Sequence, residues 1–289
     1  MEMAAGEGVN KTIGFGGKQV LRTTLTYILL LIVCIVTVLP FVWMLSGSLK
    51  NQATIFQHSM QLIPTQPLWS NYSDVWSKIP FGTFYLNTIK VSVLSTAGSL
   101  ISASLAAYAF AKLKFPGSSK LFLLYLATMM IPGQAIMIPQ FSIMKHLDLV
   151  NTHWALILLH LFSPYGVFLL RQFFIQLPHD LNESARIDGC SEFGIFFRIV
   201  LPLAKPALVT LGIFSLLGSW NDFLQPLIYL SNEKLYTIQM GIRYFQQLNG
   251  ADYPLILAAT TMSLVPIILI YLFAQRFFIE GIAVTGIKG

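Results

Sequence analysis

One stretch of this 289-residue chain sets charged and conformationally special residues at fixed spacing. Residues 171–205 read RQFFIQLPHDLNESARIDGCSEFGIFFRIVLPLAK. The chemistry on offer there is ion pairing and docking, not bond making. Asp180 can cap a helix, and Glu183 follows three residues later, the spacing of a capping box. Gly189 supplies a stop, because glycine tolerates the left-handed conformation at a helix end. Ser191 can cap a second helix running to about Val200, and Pro202 and Pro206 mark the turn that follows. A helix of about two or three turns is marginal in water by itself, so this pair needs a surface. It either packs on the rest of its own chain or docks to a separate soluble protein.

Motifs for covalent chemistry are missing. There is no G-x-x-x-x-G-K-[ST] phosphate loop, no H-E-x-x-H and no G-x-S-x-G. The five histidines, at 58, 146, 153, 160 and 179, show no close ligand spacing. These features argue against an enzyme or a metal centre. Cys34 lies in an apolar run and Cys190 in a polar loop, which is no disulfide framework.

The elements that hold this loop belong in lipid. The chain is 55% hydrophobic and 10% charged, whereas soluble domains carry about 25% charged residues. The net charge of +6 suits basic loops beside a membrane better than nucleic-acid binding. About 20 apolar residues cross a bilayer as a helix. Breaking the chain at charges gives six spans, near 23–49, 91–111, 121–144, 154–170, 206–221 and 253–275. The expected fold is therefore all-α and integral to the membrane, with a short segment 1–22 ahead of one membrane domain, 23–289. The first run is longer than a signal-peptide core of about 7–15 residues and reads as a permanent helix. With the N-terminus in the cytoplasm, the inside segments hold twelve of the eighteen Lys and Arg residues. That asymmetry puts both termini and the 171–205 loop in the cytoplasm.

Two further patterns bear on packing. Ser95, Ser99, Ala103, Ala107 and Ala111 recur every four residues, placing small side chains on one helical face where a second helix can approach closely. Residues 50–90 form an expected outer loop rich in aromatic rings, among them Trp69, Tyr72, Trp76, Phe81, Phe84 and Tyr85, which favour the membrane interface.

Glu183-Ser184-Ala185, three residues, Gly189, nine residues, then Ile199 to Pro202 resembles the signature loop of permease subunits of ABC importers. Ser184 stands where that pattern has alanine. Ile131-Pro132 through Ile138-Pro139, Trp220-Asn221-Asp222-Phe223 and the ending from Ala274 to Gly289 resemble the carbohydrate branch, in particular the maltose-permease type of second subunit. The resemblance implies a type I ABC importer permease fold in a bacterial cell membrane. It implies as partners a second permease subunit, a dimer of ATP-hydrolysing subunits and an extracellular or periplasmic solute-binding protein. ATP and Mg would be bound by the partner subunits, with no cofactor in this chain.

The resemblance also assigns residues. Coupling to the ATPase would fall to Asp180, Glu183, Ser184, Ala185, Asp188, Gly189, Ile199, Leu201 and Pro202, and Glu183→Lys or Gly189→Asp would leave the bundle assembled but abolish transport. A second ATPase contact would be the tail Gly286, Ile287, Lys288 and Gly289. Candidates for the sugar path are His160, Tyr165, Ser215, Ser219, Trp220, Asn221 and Asp222, with Trp220 stacking on a sugar ring and Asn221 and Asp222 bonding hydroxyls. His160 also fits a satisfied bundle histidine, and Asp222 the outer water boundary. The partner permease could supply most sugar contacts. Residues 236–253 could reach into the binding protein or form a surface loop. Two rival readings stay open: another solute such as a polyol or glycerol phosphate, and a secondary transporter needing no ATPase. The latter predicts internal repeats and charges buried mid-span, and neither is evident.

Overall fold

The computed structural model describes residues 17–57, 61–247 and 250–286. Apart from one short hairpin it is built from helices. Each helix satisfies its own backbone polar groups, as lipid requires. In chain order these are α1 (Gly17–Ser48), α2 (Thr54–Gln57), α3 (Ser70–Lys78), α4 (Phe81–Lys112), α5 (Ser118–Ala127), α6 (Gly133–His146), α7 (His153–His160), α8 (Pro164–Gln176), α9 (His179–Ile187), α10 (Glu192–Ile195), α11 (Leu201–Leu203), α12 (Lys205–Trp220), α13 (Leu224–Tyr229), α14 (Ile238–Arg243) and α15 (Tyr253–Gly286). The hairpin pairs β1 (Gln246–Gln247) with β2 (Gly250–Ala251) in antiparallel register.

Among the described residues, four stretches are long and apolar enough to cross a membrane: α1 from Gln19, α4, His153–Gln176 and the Tyr253–Gln275 part of α15. Two bent pairs raise the number to as many as six if each pair is one span: Ser118–Met130 with Gly133–His146, bent by 100°, and Glu192–Leu203 with Lys205–Trp220, bent by 80°. The stretch expected as a straight third span, 121–144, is thus two helices with a corner at Ile131-Pro132. Ile131 takes an extended conformation there, as the ring of a following proline demands.

The largest departure from expectation is at the second span. The helix containing 91–111 starts ten residues earlier, at Phe81, and absorbs part of the expected 50–90 loop. Phe81 and Phe84 are fully buried, and they pack with Val75 of α3, Ile238 of α14 and Leu255, Ala258 and Ala259 of α15. Trp69 and Trp76 stay exposed.

Helix α4 is the hub, contributing to all three apolar clusters. Its small-residue face is the seam. Ser95, Ser99, Ala103 and Ala107 are buried and Ala111 partly so. Ala103 and Ala107 share a cluster with Val167, Leu170 and Phe174 of α8 and Leu211 of α12. At Gly98 a Cβ would run into the Leu161 side chain, and the nearby Ser102 hydroxyl donates to the Leu161 carbonyl. Lipid gives no hydrophobic drive between helices, so close packing supplies the contact energy. Ala103→Leu is expected to destabilise the bundle by about 1–3 kcal/mol through overpacking, read as a lower unfolding midpoint in mild detergent.

Candidate functional site

The 171–205 loop is built by local rules. Pro178 is extended and precedes the first turn of α9. Asp180 therefore sits inside that turn instead of capping it, and no side chain caps this end. The expected capping box with Glu183 is not made. Asp180 still places negative charge near the helix N-terminus, where the dipole favours it, and the Ser184 hydroxyl donates back to its carbonyl at 2.8 Å.

The far end of α9 closes as a Schellman motif. Cys190 N–H donates to Ala185 O at 2.9 Å and Gly189 N–H to Arg186 O at 3.0 Å. Gly189 has φ +81°, the left-handed region that favours glycine, and Asp188 forms the cap before it. Ser191 does cap the next helix, accepting from Gly194 N–H at 3.2 Å. The expected continuous helix to Val200 is instead α10, a π turn over Phe196–Val200, and α11. Pro202 has no N–H for the carbonyl four residues back, and the wider turn accommodates it.

The loop has two faces. Asn182 and Ala185 of α9 are buried, as are Ile195, Phe196 and Val200, while Ile199 and Leu201 pack against the same core. On the other side Glu183, Ser184 and Asp188 are exposed, and Ile187 is 87% exposed. Phe193, Phe197 and Pro202 are exposed too. Ile187 was missed in the sequence, although a helical wheel showing it off the Asn182–Ala185 stripe could have found it.

Several bonds fix the loop to the bundle. Lys112 Nζ donates to Leu177 O at 2.8 Å. Arg171 Nε donates to Phe110 O at 3.2 Å, and its guanidinium lies 4.1 Å over the Phe122 ring. Glu192 accepts from Arg186 Nε and from the Tyr108 hydroxyl, both at 2.7 Å. Those two donors, Arg186 foremost, hold the Glu192 carboxyl below its ordinary pKa.

A cavity of about 310 Å³ opens between α4, α8 and α12. His160, Tyr165 and Ser215 line it, together with Phe162 and Phe214. Tyr165 and Phe214 meet edge to face at 6.2 Å. Neither phenylalanine was singled out in the sequence, where an aromatic ring in an apolar run looks the same whether it faces lipid or a cavity. His160 Nδ1 lies 2.9 Å from Leu156 O, and its Nε2 is 3.9 Å from Asp222 Oδ2.

The other four candidates do not line this cavity. Trp220 is 3% exposed, its ring packed edge-on against Tyr85 and its Nε1–H donating to Ser263 Oγ at 3.3 Å. A sugar cannot stack on it in this conformation, because the early start of α4 brings Tyr85 over it. Ser219 is buried. Asn221 binds Leu217 O and accepts from Gln239. Asp222 accepts from Gln225 N–H. Residues 236–253 contain α14 and the hairpin, with Gly241 tight against Phe84. The tail assigned to a second contact lies outside the described residues beyond Gly286, the end of α15. Among the described residues no three His, Cys, Asp or Glu side chains gather to hold a metal.

Residues 98–283 match the family of binding-protein-dependent transport system inner membrane components. The chain belongs to that family. The matched region of this inner membrane component runs from the middle of α4 into α15, so it contains the loop and the whole cavity lining. The chain is 35% identical over 260 residues to the arabinooligosaccharides transport system permease protein AraQ of Halalkalibacterium halodurans, covering 89% of this chain and 93% of that one. It is 32% identical over 266 residues to the sn-glycerol-3-phosphate transport system permease protein UgpE of Pectobacterium atrosepticum, covering 89% and 94%. Its fold matches a chain of a bacterial ABC transporter involved in the import of the acidic polysaccharide alginate, with a TM-score of 0.80 at 24% identity over 91% of this chain and 99% of that one. The resemblance carried by Glu183 to Pro202 thus holds, and the fold is that of a multi-pass type I ABC importer permease.

Proposed function

We propose that this chain forms half of the pathway of an ATP-binding-cassette importer for a carbohydrate and is driven by separate ATPase subunits. The observation that carries it is the two-faced 171–205 loop. One face is built into the bundle core, and the other presents Glu183 and Ile187 to a partner. A short helix bolted to its own core and bare on the opposite side is made to be gripped. Lys and Arg asymmetry supports a cytoplasmic position for this loop and both termini. Glu183 then pairs with a basic group of the ATPase, Ile187 fills an apolar recess, and Gly286 to Gly289 form the second contact.

ATP and Mg bind in the partner subunits. Nucleotide favours one of two states of the complex, and the differential affinity drives alternating access. A second permease completes the pathway, and a solute-binding protein delivers the substrate on the outside. The cavity supports a neutral hydroxylated solute. Its lining offers aromatic faces and hydroxyls and no Lys or Arg, the residues that a glycerol phosphate would call for.

The complex should be assembled from this chain, its sister permease, the ATPase and the binding protein, in liposomes. Uptake of a labelled oligosaccharide is expected only with ATP and the binding protein. Uptake by this chain alone would refute the importer reading, and preference for glycerol phosphate would refute the sugar assignment. In the active complex, Tyr165→Phe is expected to raise the KM of uptake about two- to tenfold, the worth of one neutral hydrogen bond.

A further inference from the structure

The turn at Gly189 and Cys190 is a natural joint. It separates α9 from α10, and the φ of +81° at Gly189 comes with open space around the position where a Cβ would stand. A force applied to α9 could be absorbed by bending there. One side chain spans the joint. Glu192, the first residue of α10, accepts at Oε1 from Arg186 Nε of α9 at 2.7 Å. Its other oxygen accepts from the Tyr108 hydroxyl of α4 at 2.7 Å. Three elements therefore meet on one carboxylate.

The partners differ in what they contribute. An exposed Arg–Glu pair alone adds little to stability, and the Arg186 and Glu192 side chains are 39% and 42% exposed. Tyr108 is 5% exposed. Its ring lies 5.2 Å from that of Phe196 in the loop-end core, so its hydroxyl is a fixed point on the hub helix. A charge-assisted bond to a fixed donor orients the carboxylate, and the oriented carboxylate then orients Arg186.

We infer that Glu192 is a positioning residue for transport, tying α9 across the Gly189 joint to Tyr108 so that α9 and α4 move as one body. This rests on the importer reading above. Glu192 acts through its two partners and touches neither solute nor nucleotide.

The test is the number of solute molecules taken up per ATP hydrolysed, measured on the complete complex in liposomes with its binding protein. Glu192→Ala and Tyr108→Phe are each expected to lower this ratio about five- to tenfold, the scale of a coupling between two sites. A merely structural role would lower assembly, hydrolysis and uptake in proportion and leave the ratio unchanged, and that result overturns the inference. Tyr108→Phe removes one hydroxyl and keeps the ring packing. Should Glu192→Ala fail to assemble, the ratio in Tyr108→Phe decides. Failure of the wild-type complex to couple uptake to ATP would refute the importer reading itself. An unchanged ratio in variants of an active complex overturns only the role of Glu192.

Discussion

Glu183→Lys is expected to abolish uptake while leaving the chain as stable as before. Glu183 lies on the exposed side of α9. Surface changes away from caps and cores shift stability by about 0.5 kcal/mol or less, so the unfolding midpoint in detergent should stay put. At the proposed contact, a reversed charge against a basic group of the ATPase does much more. Truncating one member of a close interfacial pair typically costs tens-fold or more in affinity, and reversal adds repulsion. Association with the ATPase should weaken by at least about thirtyfold, measured by co-purification at graded detergent and salt. Full uptake by this variant would remove Glu183 from the contact.

Gly189→Val should be nearly as damaging, for a different reason. There is room for the side chain, since nothing lies within 4 Å of the Cβ position. The backbone is the obstacle. A β-branched residue at φ +81° is strained by about 1–2 kcal/mol. Relief comes by giving up the two hydrogen bonds that end α9. That shifts the population holding the native turn by about five- to thirtyfold. Uptake should fall accordingly while the bundle stays assembled. Aspartate at this position is the milder change to the backbone, because it tolerates the left-handed region better than most residues. A valine variant that transports normally would show that the turn carries no force.

The loop was legible because its rules are local. Glycine before a left-handed turn and serine before a helix read the same way in sequence and in space, and Gly189 and Ser191 occupy the positions expected of them. Asp180 failed as a cap because the helix starts two residues too early for it, with Pro178 in the cap position. The small-residue face of α4 was legible because burial follows helical period, so Ser95 to Ala107 lie in the seam. The start of α4 was not. Phe81, Phe84 and Tyr85 suit an interfacial loop as well as a helix, and only contacts from α14 and α15 bury them.

The residues expected along a solute path show the same division. Polar residues near the fourth and fifth spans could be named, but their directions could not. His160, Tyr165 and Ser215 face one cavity, whereas Trp220 is sealed under Tyr85. Composition, charge placement and cap spacing determined that this chain lives in lipid, that it offers about six candidate spans, and that residues 171–205 hold a glycine-ended helix followed by a serine-capped one. Those properties depend on hydropathy and on spacings of a few residues. Tertiary structure alone decided which aromatic rings line a cavity, where the third span bends, and that Tyr108 reaches Glu192 across 84 residues of chain. Contacts between residues far apart in sequence depend on how helices cross, and no local pattern encodes that.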